Sequence, residues 1–366
     1  MAKFFRMPDH ISDLPPPAAA RLERARRAAL DFLLAHDYAL HIPALAEYAE
    51  TLGGGDETLQ LDIFKMTDTL SGRTLGIRAD HTPQTARFDA ARGGDAPRRL
   101  CYCGPALRTR PPQPWKRREI MQLGAEIFNL PPPAAEWEII RLAAGALAAA
   151  GIRDIAIDIG HAGLVNLLLG GFAPARRAAL CRHVARRDVA VLQEKAGDAA
   201  KPLADLLRAD GEDAAEEARR IVAAAGMDAG AMPDELAEIA ALLRAEGFDV
   251  RINFAEIGGY GYHTGAAFSI YGDSFLAARG GRYDRPGFRP AAGFGVDLRE
   301  IVAHLPPAEE PPPAVACRPA ARDPSWREAV AGLREQNRRL RFTAADETPP
   351  PPFLEKIGGA WKVRES

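Results

Sequence analysis

Four cysteines are too few and too scattered to staple a fold. Cys101, Cys103, Cys181 and Cys317 contain one close pair, and that C-x-C has no second pair to complete a zinc site. Disulfides and structural zinc are therefore not expected, and a reducing cytoplasm suits the chain. No stretch approaches the roughly 18 apolar residues of a membrane-spanning helix. Residues 1–14 lack the apolar segment of a signal peptide. A basic excess is missing too. The 47 Lys and Arg stand against 49 Asp and Glu, a net charge of −2, so no global field draws in nucleic acid. Basic residues gather locally at 21–27, 108–118 and 176–187, where solvated helix faces and loops account for most of them.

The chain has 366 residues, 47% of them hydrophobic. That allows two domains, or one large domain and an appendage. Its organising stretch is 99–128. Two β-type segments flank a loop, Arg110-Pro-Pro-Gln-Pro-Trp-Lys-Arg-Arg118, whose prolines remove backbone donors and forbid a strand. Side chains alternate along a strand, so Gln122, Gly124 and Glu126 share one face. A Gln and a Glu on an otherwise apolar strand need polar partners. A ligand ammonium or amide would serve, and so would a satisfied buried network.

Around this hairpin, apolar spacing predicts a helix over 15–35, then a short strand over 38–43 ending at Pro43. A hairpin over 62–68 and 74–78 turns at Ser71-Gly-Arg. Asp80 and Thr82 are placed to cap a helix beginning at Pro83. A helix over 136–150 and a strand over 152–159 follow. Residues 170–246 read as almost wholly helical, with His183 on a surface. A strand over 248–254 precedes a glycine-rich run, 257–270, in which backbone could approach a ligand closely. The Pro-rich 306–313 reads as a stiff linker. Residues 314–366 then supply a strand at 314–317, a helix over 326–340 and a strand at 340–343.

Tyr102-x-Gly104-Pro105-x-x-Arg108, Pro112-Gln113 and Arg118-x-x-x-Gln122-Leu-Gly124-x-Glu126 resemble motif 2 of histidyl-tRNA synthetase. They resemble still more that enzyme's non-synthetase relatives, the regulatory subunits of ATP phosphoribosyltransferase. The helix and strand ending at Pro43 are similar to motif 1 of class II synthetases, which dimerises. Arg78-Ala-Asp80-His81-Thr82-Pro83-Gln84 and Tyr262-His263-Thr264-Gly265 are closer to the regulatory subunits, and Gly280-Gly-Arg-Tyr283-Asp284 is again a string similar to the family's. Residues 291–300 occupy the place of motif 3. The resemblance covers about residues 10–302.

It implies an α+β class II aminoacyl-tRNA synthetase-like domain over 1–305, a mostly antiparallel sheet flanked by helices. The insertion at about 170–246 would be helical and the C-terminal α/β appendage small. It implies histidine-binding positions at Asp80, Thr82, Arg108, Gln122, Glu126, Tyr262, His263 and Tyr283. Two carboxylates and a Gln suit an ammonium; aromatic hydroxyls suit an imidazole. The nucleotide half departs from an enzyme. The adenine-reading Glu is Arg110, which has no acceptor. The phosphate-binding Arg of motif 3 is Glu300, preceded by Asp297 in place of a Gly. The carboxylate-activating Arg of the histidine loop is Gly258.

The resemblance thus implies a non-catalytic regulatory subunit that joins a short-form catalytic subunit in a hetero-octamer with a homodimer core. It would be required for activity and would confer feedback by histidine in the first step of histidine biosynthesis. No cofactor, metal, nucleic acid or membrane is expected. The rival is an active histidyl-tRNA synthetase-like amino-acid-activating enzyme. A tRNA-binding or kinase-regulating module would need a basic surface or an added RNA-binding domain, which the balanced charge and short tail disfavour.

Overall fold

A computed structural model describes residues 6–53, 57–114, 116–257, 263–284, 287–306, 313–320, 322–344 and 351–365. The chain divides into two compact units, Met1–Leu305 and Pro306–Ser366.

Eight strands of the first unit form one sheet. Their order is Ala39–Leu40, Arg98–Leu107, Glu119–Phe128, Ala291–Asp297, Leu276–Tyr283, His263–Tyr271, Ala156–His161 and Asp249–Ile252. The inner junctions are antiparallel. The two outermost are parallel. At the centre, Arg98 pairs with Phe128 and the register runs unbroken to Leu107 opposite Glu119.

Alternation along Glu119–Phe128 sorts its faces as the sequence predicts. Leu123, Ala125 and Ile127 enter the main core. Across that core lie the helices Pro16–Ala35, buried through Leu22, Ala25, Ala29 and Leu33, and Ala134–Ala150. Truncating a fully buried leucine such as Leu33 to Ala removes about 2–5 kcal/mol of stability. Gln122, Gly124 and Glu126 occupy the other face.

The strand expected at 38–43 is shorter, Ala39–Leu40, and pairs with Leu100 and Cys101. Pro43 cannot extend a ladder, and instead its carbonyl accepts from Arg78 Nη1 at 2.9 Å. Leu40, Ile42 and Leu45 are left exposed along that edge. The expected hairpin forms, Phe64–Thr67 against Thr74–Ile77, and Ala46–Tyr48 joins it in a separate three-stranded sheet. Asp68 closes its turn, accepting from Ser71 Oγ at 2.6 Å.

The insertion is helical: Pro174–Ala185, Val189–Lys195, Ala200–Leu206, Ala214–Ala224 and Met232–Ala245. His183 sits on its surface beside Asp188, 3.0 Å away. No helix of the described residues is long and apolar enough to cross a membrane.

The second unit orders its strands Leu340–Phe342, Val315–Cys317, Phe353–Ile357 and Ala360–Arg364, with the helix Pro324–Glu335 against them. Val315, Cys317, Trp326, Val330, Leu333 and Leu354 make its core. The helix begins and ends earlier than its apolar pattern suggests. Asp323 caps it, accepting from Ser325 N at 3.0 Å, and Pro324 supplies a preset first turn. The closing hairpin, turning at Gly358 and Gly359, adds two strands to those expected. Its signal is a Gly-Gly pair between short alternating runs.

Candidate functional site

A cleft of about 630 Å³ opens over the face that carries Gln122 and Glu126. Strand register builds its floor. Glu126 lies opposite Gly293, Gly293 opposite Gly281, and Gln122 opposite Asp297. Small residues are required there. A Cβ at Gly293 would stand 1.7 Å from Glu126 Oε2, and one at Gly124 would stand 2.4 Å from the Tyr102 hydroxyl oxygen.

Glu126 is 1% exposed. Thr82 Oγ1 and the Tyr102 hydroxyl donate to its Oε1 at 2.8 and 3.2 Å, and the Tyr283 hydroxyl donates to Oε2 at 3.0 Å. Burial pushes its pKa up to about 8; the hydroxyl donors oppose that and the nearby Asp80 adds to it. No cation of the chain pairs with it among the described residues. The result is a buried carboxyl suited to a ligand that brings its own positive charge.

Beside it, Asp80 accepts from Thr82 N at 2.9 Å and from Gln122 Nε2 at 3.1 Å. The helix starts at Thr82 and not Pro83, and its cap position is His81, which makes no side-chain cap bond, so Asp80 and Thr82 are not its caps. Asp80 ties the Thr82 N–H from just before the helix and faces the cleft. Gln122 Oε1 accepts from His81 twice, from the backbone N–H at 3.1 Å and from ring Nδ1 at 2.8 Å. The His81 ring stacks on Tyr102, with centroids 4.8 Å apart and planes 3° from parallel. Gln122 and Glu126 thus belong to a buried polar network and still look into the cavity.

At the other end, Arg108 lines the cleft and its Nε donates to Ala79 O at 3.2 Å. Lys116, Arg117 and Arg279 also line it. Glu300 faces the same space, bound to Lys116 Nζ at 2.5 Å with His304 Nε2 at 3.5 Å. Burial works against its ionised form, but Lys116 and His304 hold its pKa below the usual carboxylate value. Asp297 caps the helix Leu298–His304 through Arg299 N, at 3.0 Å, and also accepts from Met121 N. Arg299 points elsewhere, to Glu119 at 3.0 Å and to the Ser12 carbonyl at 2.6 Å. Arg110 leans on Asp62, 3.1 Å away, at the exposed rim.

The cleft therefore gathers Asp80, Thr82, Arg108, Gln122, Glu126, His263 and Tyr283. Tyr262 and Gly258, with the rest of 258–262, lie outside the described residues. Tyr102 and His81 complete the arrangement, although neither is among the candidate residues. Tyr102 had a sequence signal, since it pairs with Gly124 on the hairpin face that carries Gln122 and Glu126. His81 had only its place between Asp80 and Thr82. No group of three or more His, Cys, Asp or Glu among the described residues could hold a metal ion.

Comparison with known proteins identifies the family of the chain. The family model for histidyl-tRNA synthetase matches residues 10–301. The ATP phosphoribosyltransferase regulatory subunit of Burkholderia multivorans is 40% identical over 347 residues, 90% of this chain and 89% of the relative. A Bacillus halodurans structure described as an ATP phosphoribosyltransferase regulatory subunit/histidyl-tRNA synthetase superposes with a TM-score of 0.79. It is 24% identical, with 96% of each chain covered, and shares the fold. A chain from the ATP phosphoribosyl transferase (HisG:HisZ) complex of Thermotoga maritima superposes with a TM-score of 0.57 at 16% identity. That match covers 75% of this chain and 96% of the other. The chain belongs to the histidyl-tRNA synthetase-like family, within its branch of ATP phosphoribosyltransferase regulatory subunits.

Proposed function

We propose that this chain is a non-catalytic regulatory subunit that holds histidine in the cleft and passes its presence to a short-form ATP phosphoribosyltransferase catalytic subunit. One observation carries the reading. The Glu126 carboxyl is buried among the hydroxyls of Thr82, Tyr102 and Tyr283 and has no partner cation among the described residues, while Asp80 faces the same space. An imidazole or ammonium supplies the missing charge. Histidine would favour one state of the assembly through its differential affinity for the two.

Among the described residues, no fixed cation stands at the motif 3 position of the nucleotide half. Glu300 holds Lys116, and Arg299 is turned to Glu119. Stabilising charge at an α-phosphate requires preorganised cations. The edge formed by Leu40, Ile42 and Leu45 suits self-association into the homodimer core of a hetero-octamer. Among ordinary compartments the cytoplasm fits its four free thiols.

Calorimetry with histidine, on the isolated chain and on its assembly with the catalytic subunit, tests the reading. Sub-millimolar binding to either, with feedback lost in Asp80→Ala and Glu126→Ala, supports it. Binding to neither, or feedback unchanged in both variants, overturns it. The rival, an amino-acid-activating enzyme, draws on Arg108, Arg117 and Arg279 in the cleft. Robust ATP–pyrophosphate exchange with histidine would establish that rival instead.

A further inference from the structure

We propose that His81 is a positioning residue that locks the Gln122 amide with its N–H₂ group toward the cleft, so that the site selects ligands carrying an anionic group beside their cation, the carboxylate of a free α-amino acid. The proposal rests on the reading of the cleft as an amino-acid site and adds to it which end of Gln122 the ligand meets.

The backbone N–H of His81 fixes the assignment. A main-chain N–H can only donate, and it lies 3.1 Å from the Gln122 side-chain oxygen. The opposite amide orientation would set N–H₂ against that N–H and the oxygen against the Asp80 carboxylate, two repulsive contacts. With the oxygen so placed, ring Nδ1 at 2.8 Å must also donate. His81 is therefore neutral, protonated on Nδ1. Burial and the Arg78 guanidinium favour that neutral form, lowering its pKa to about 4. Ring Nε2 is buried without a hydrogen-bond partner. It lies on the side of Gly104 where Arg78 Nη2 also approaches. An unprotonated nitrogen lone pair suits a neighbouring guanidinium. Stacking on Tyr102 holds the ring in plane.

Two donors occupy the Gln122 oxygen, so it has little capacity left for a ligand ammonium. Its Nε2 gives one N–H to Asp80 Oδ1 at 3.1 Å. The second N–H has no partner among the described residues. Nε2 lies over Gly295, a residue of the cleft wall without a side chain to cover it. An acceptor for cations, Asp80, and a donor for anions, Gln122, therefore stand side by side. That pair matches the ammonium and carboxylate on one α-carbon. An amine without the carboxylate leaves the donor unanswered.

Calorimetry on the full chain with histidine and with histamine tests this. The wild type is expected to prefer histidine by roughly tenfold or more. In His81→Ala the oxygen keeps one donor only and the amide is free to turn. The preference should then fall to about threefold or less, through weaker histidine binding with histamine binding kept. A merely structural role for His81 would weaken both ligands alike. His81→Asn, whose side-chain N–H₂ stands near the place of ring Nδ1, should restore the preference. An unchanged ratio in His81→Ala, or an equal loss of both ligands, overturns the proposal. A ligand-free check uses ¹⁵N-histidine-labelled wild type, with the His81 signals identified by their loss in His81→Asn. The Nδ1–H tautomer is expected, and an Nε2–H tautomer overturns the proposal. If the wild type binds neither compound, the amino-acid site itself fails, and the tautomer still decides the role of His81.

Discussion

The two ends of the cleft each present a glutamate, and the chain treats them in opposite ways. Glu126 is buried, meets only hydroxyl donors among the described residues and is held toward its neutral form, with a pKa of about 8. Glu300 is partly exposed, engaged by Lys116 and His304, and held toward its charged form. One carboxyl has only hydroxyl partners among the described residues, while the other is satisfied by a cation of the chain. A charge count from sequence treats Asp297 and Glu300 as two carboxylates repelling a polyphosphate. Their actual partners change that argument. Glu300 cancels Lys116, and Asp297 caps a helix. Under the proposed reading, what the described residues withhold from a polyphosphate is a fixed cation at the motif 3 position more than an excess of naked anions.

The contrast breaks most cleanly on the glutamates themselves. Glu126→Ala is expected to weaken histidine binding by roughly 10- to 100-fold, the worth of a charged hydrogen bond in a buried site. Glu300→Ala should change it by about twofold or less, since that group already has its partner. Calorimetry on both variants decides, and equal losses would erase the distinction between the two ends.

A pH series sharpens the same contrast. Glu126 has a folded pKa near 8 against an ordinary value of 4.5. Between those values the folded chain keeps a proton that the unfolded chain has released. Stability therefore falls as pH rises from about 4.5 to about 8, by at most about 1.4 kcal/mol per unit, and levels off above. Glu126→Gln removes this slope, so the wild type and variant should diverge across that window in urea unfolding. His81 runs the other way. Its pKa is lowered from 6.5 to about 4, so its contribution is lost as pH falls through that range. The difference between wild type and Glu126→Gln isolates the carboxyl.

Much of this end of the molecule was legible in the sequence. Strand alternation alone puts Gln122 and Glu126 on one face, and proline in 110–118 ends both strands of the hairpin. Asp80 and Thr82 announce a helix start; the cap position falls on His81, and Thr82, as the first helical residue, reaches Glu126. The partners were not legible. Tyr283 is 157 positions from Glu126, and only the register Gly281 to Gly293 to Glu126 brings them together. Arg299 is adjacent in sequence to the motif 3 position, yet its guanidinium finds Glu119 and Ser12 from the far side of a helix turn. Whether a charged group faces a cleft or a core is a tertiary fact. For the tail hairpin, a usable Gly-Gly signal lay beside a Pro run that broke the pattern.

Gly293→Ala probes how tightly the neutral carboxyl is seated. The added methyl would meet Glu126 Oε2 at 1.7 Å, and the clash cannot relax by swinging a free side chain, because three hydroxyls pin that carboxyl. Histidine affinity should drop roughly tenfold with a stability loss of about 1–3 kcal/mol. Retained affinity would mean the carboxyl is loosely held.

The smallest effect belongs to the other end. Lys116 and Glu300 are each about a quarter to a third exposed, at 30% and 24%. A pair that open to water contributes about 0–1 kcal/mol. Lys116→Ala should therefore leave thermal stability nearly unchanged and histidine affinity intact. Its consequence is local: Glu300 loses its nearest cation and keeps only His304. The Glu300 pKa should rise toward the ordinary carboxylate value, since burial, which already opposes its charge, would then act with less resistance. Carboxyl-labelled NMR titration of the variant reads that shift directly. A shift there without any change in histidine binding would show that the two glutamates titrate in separate compartments of one cleft.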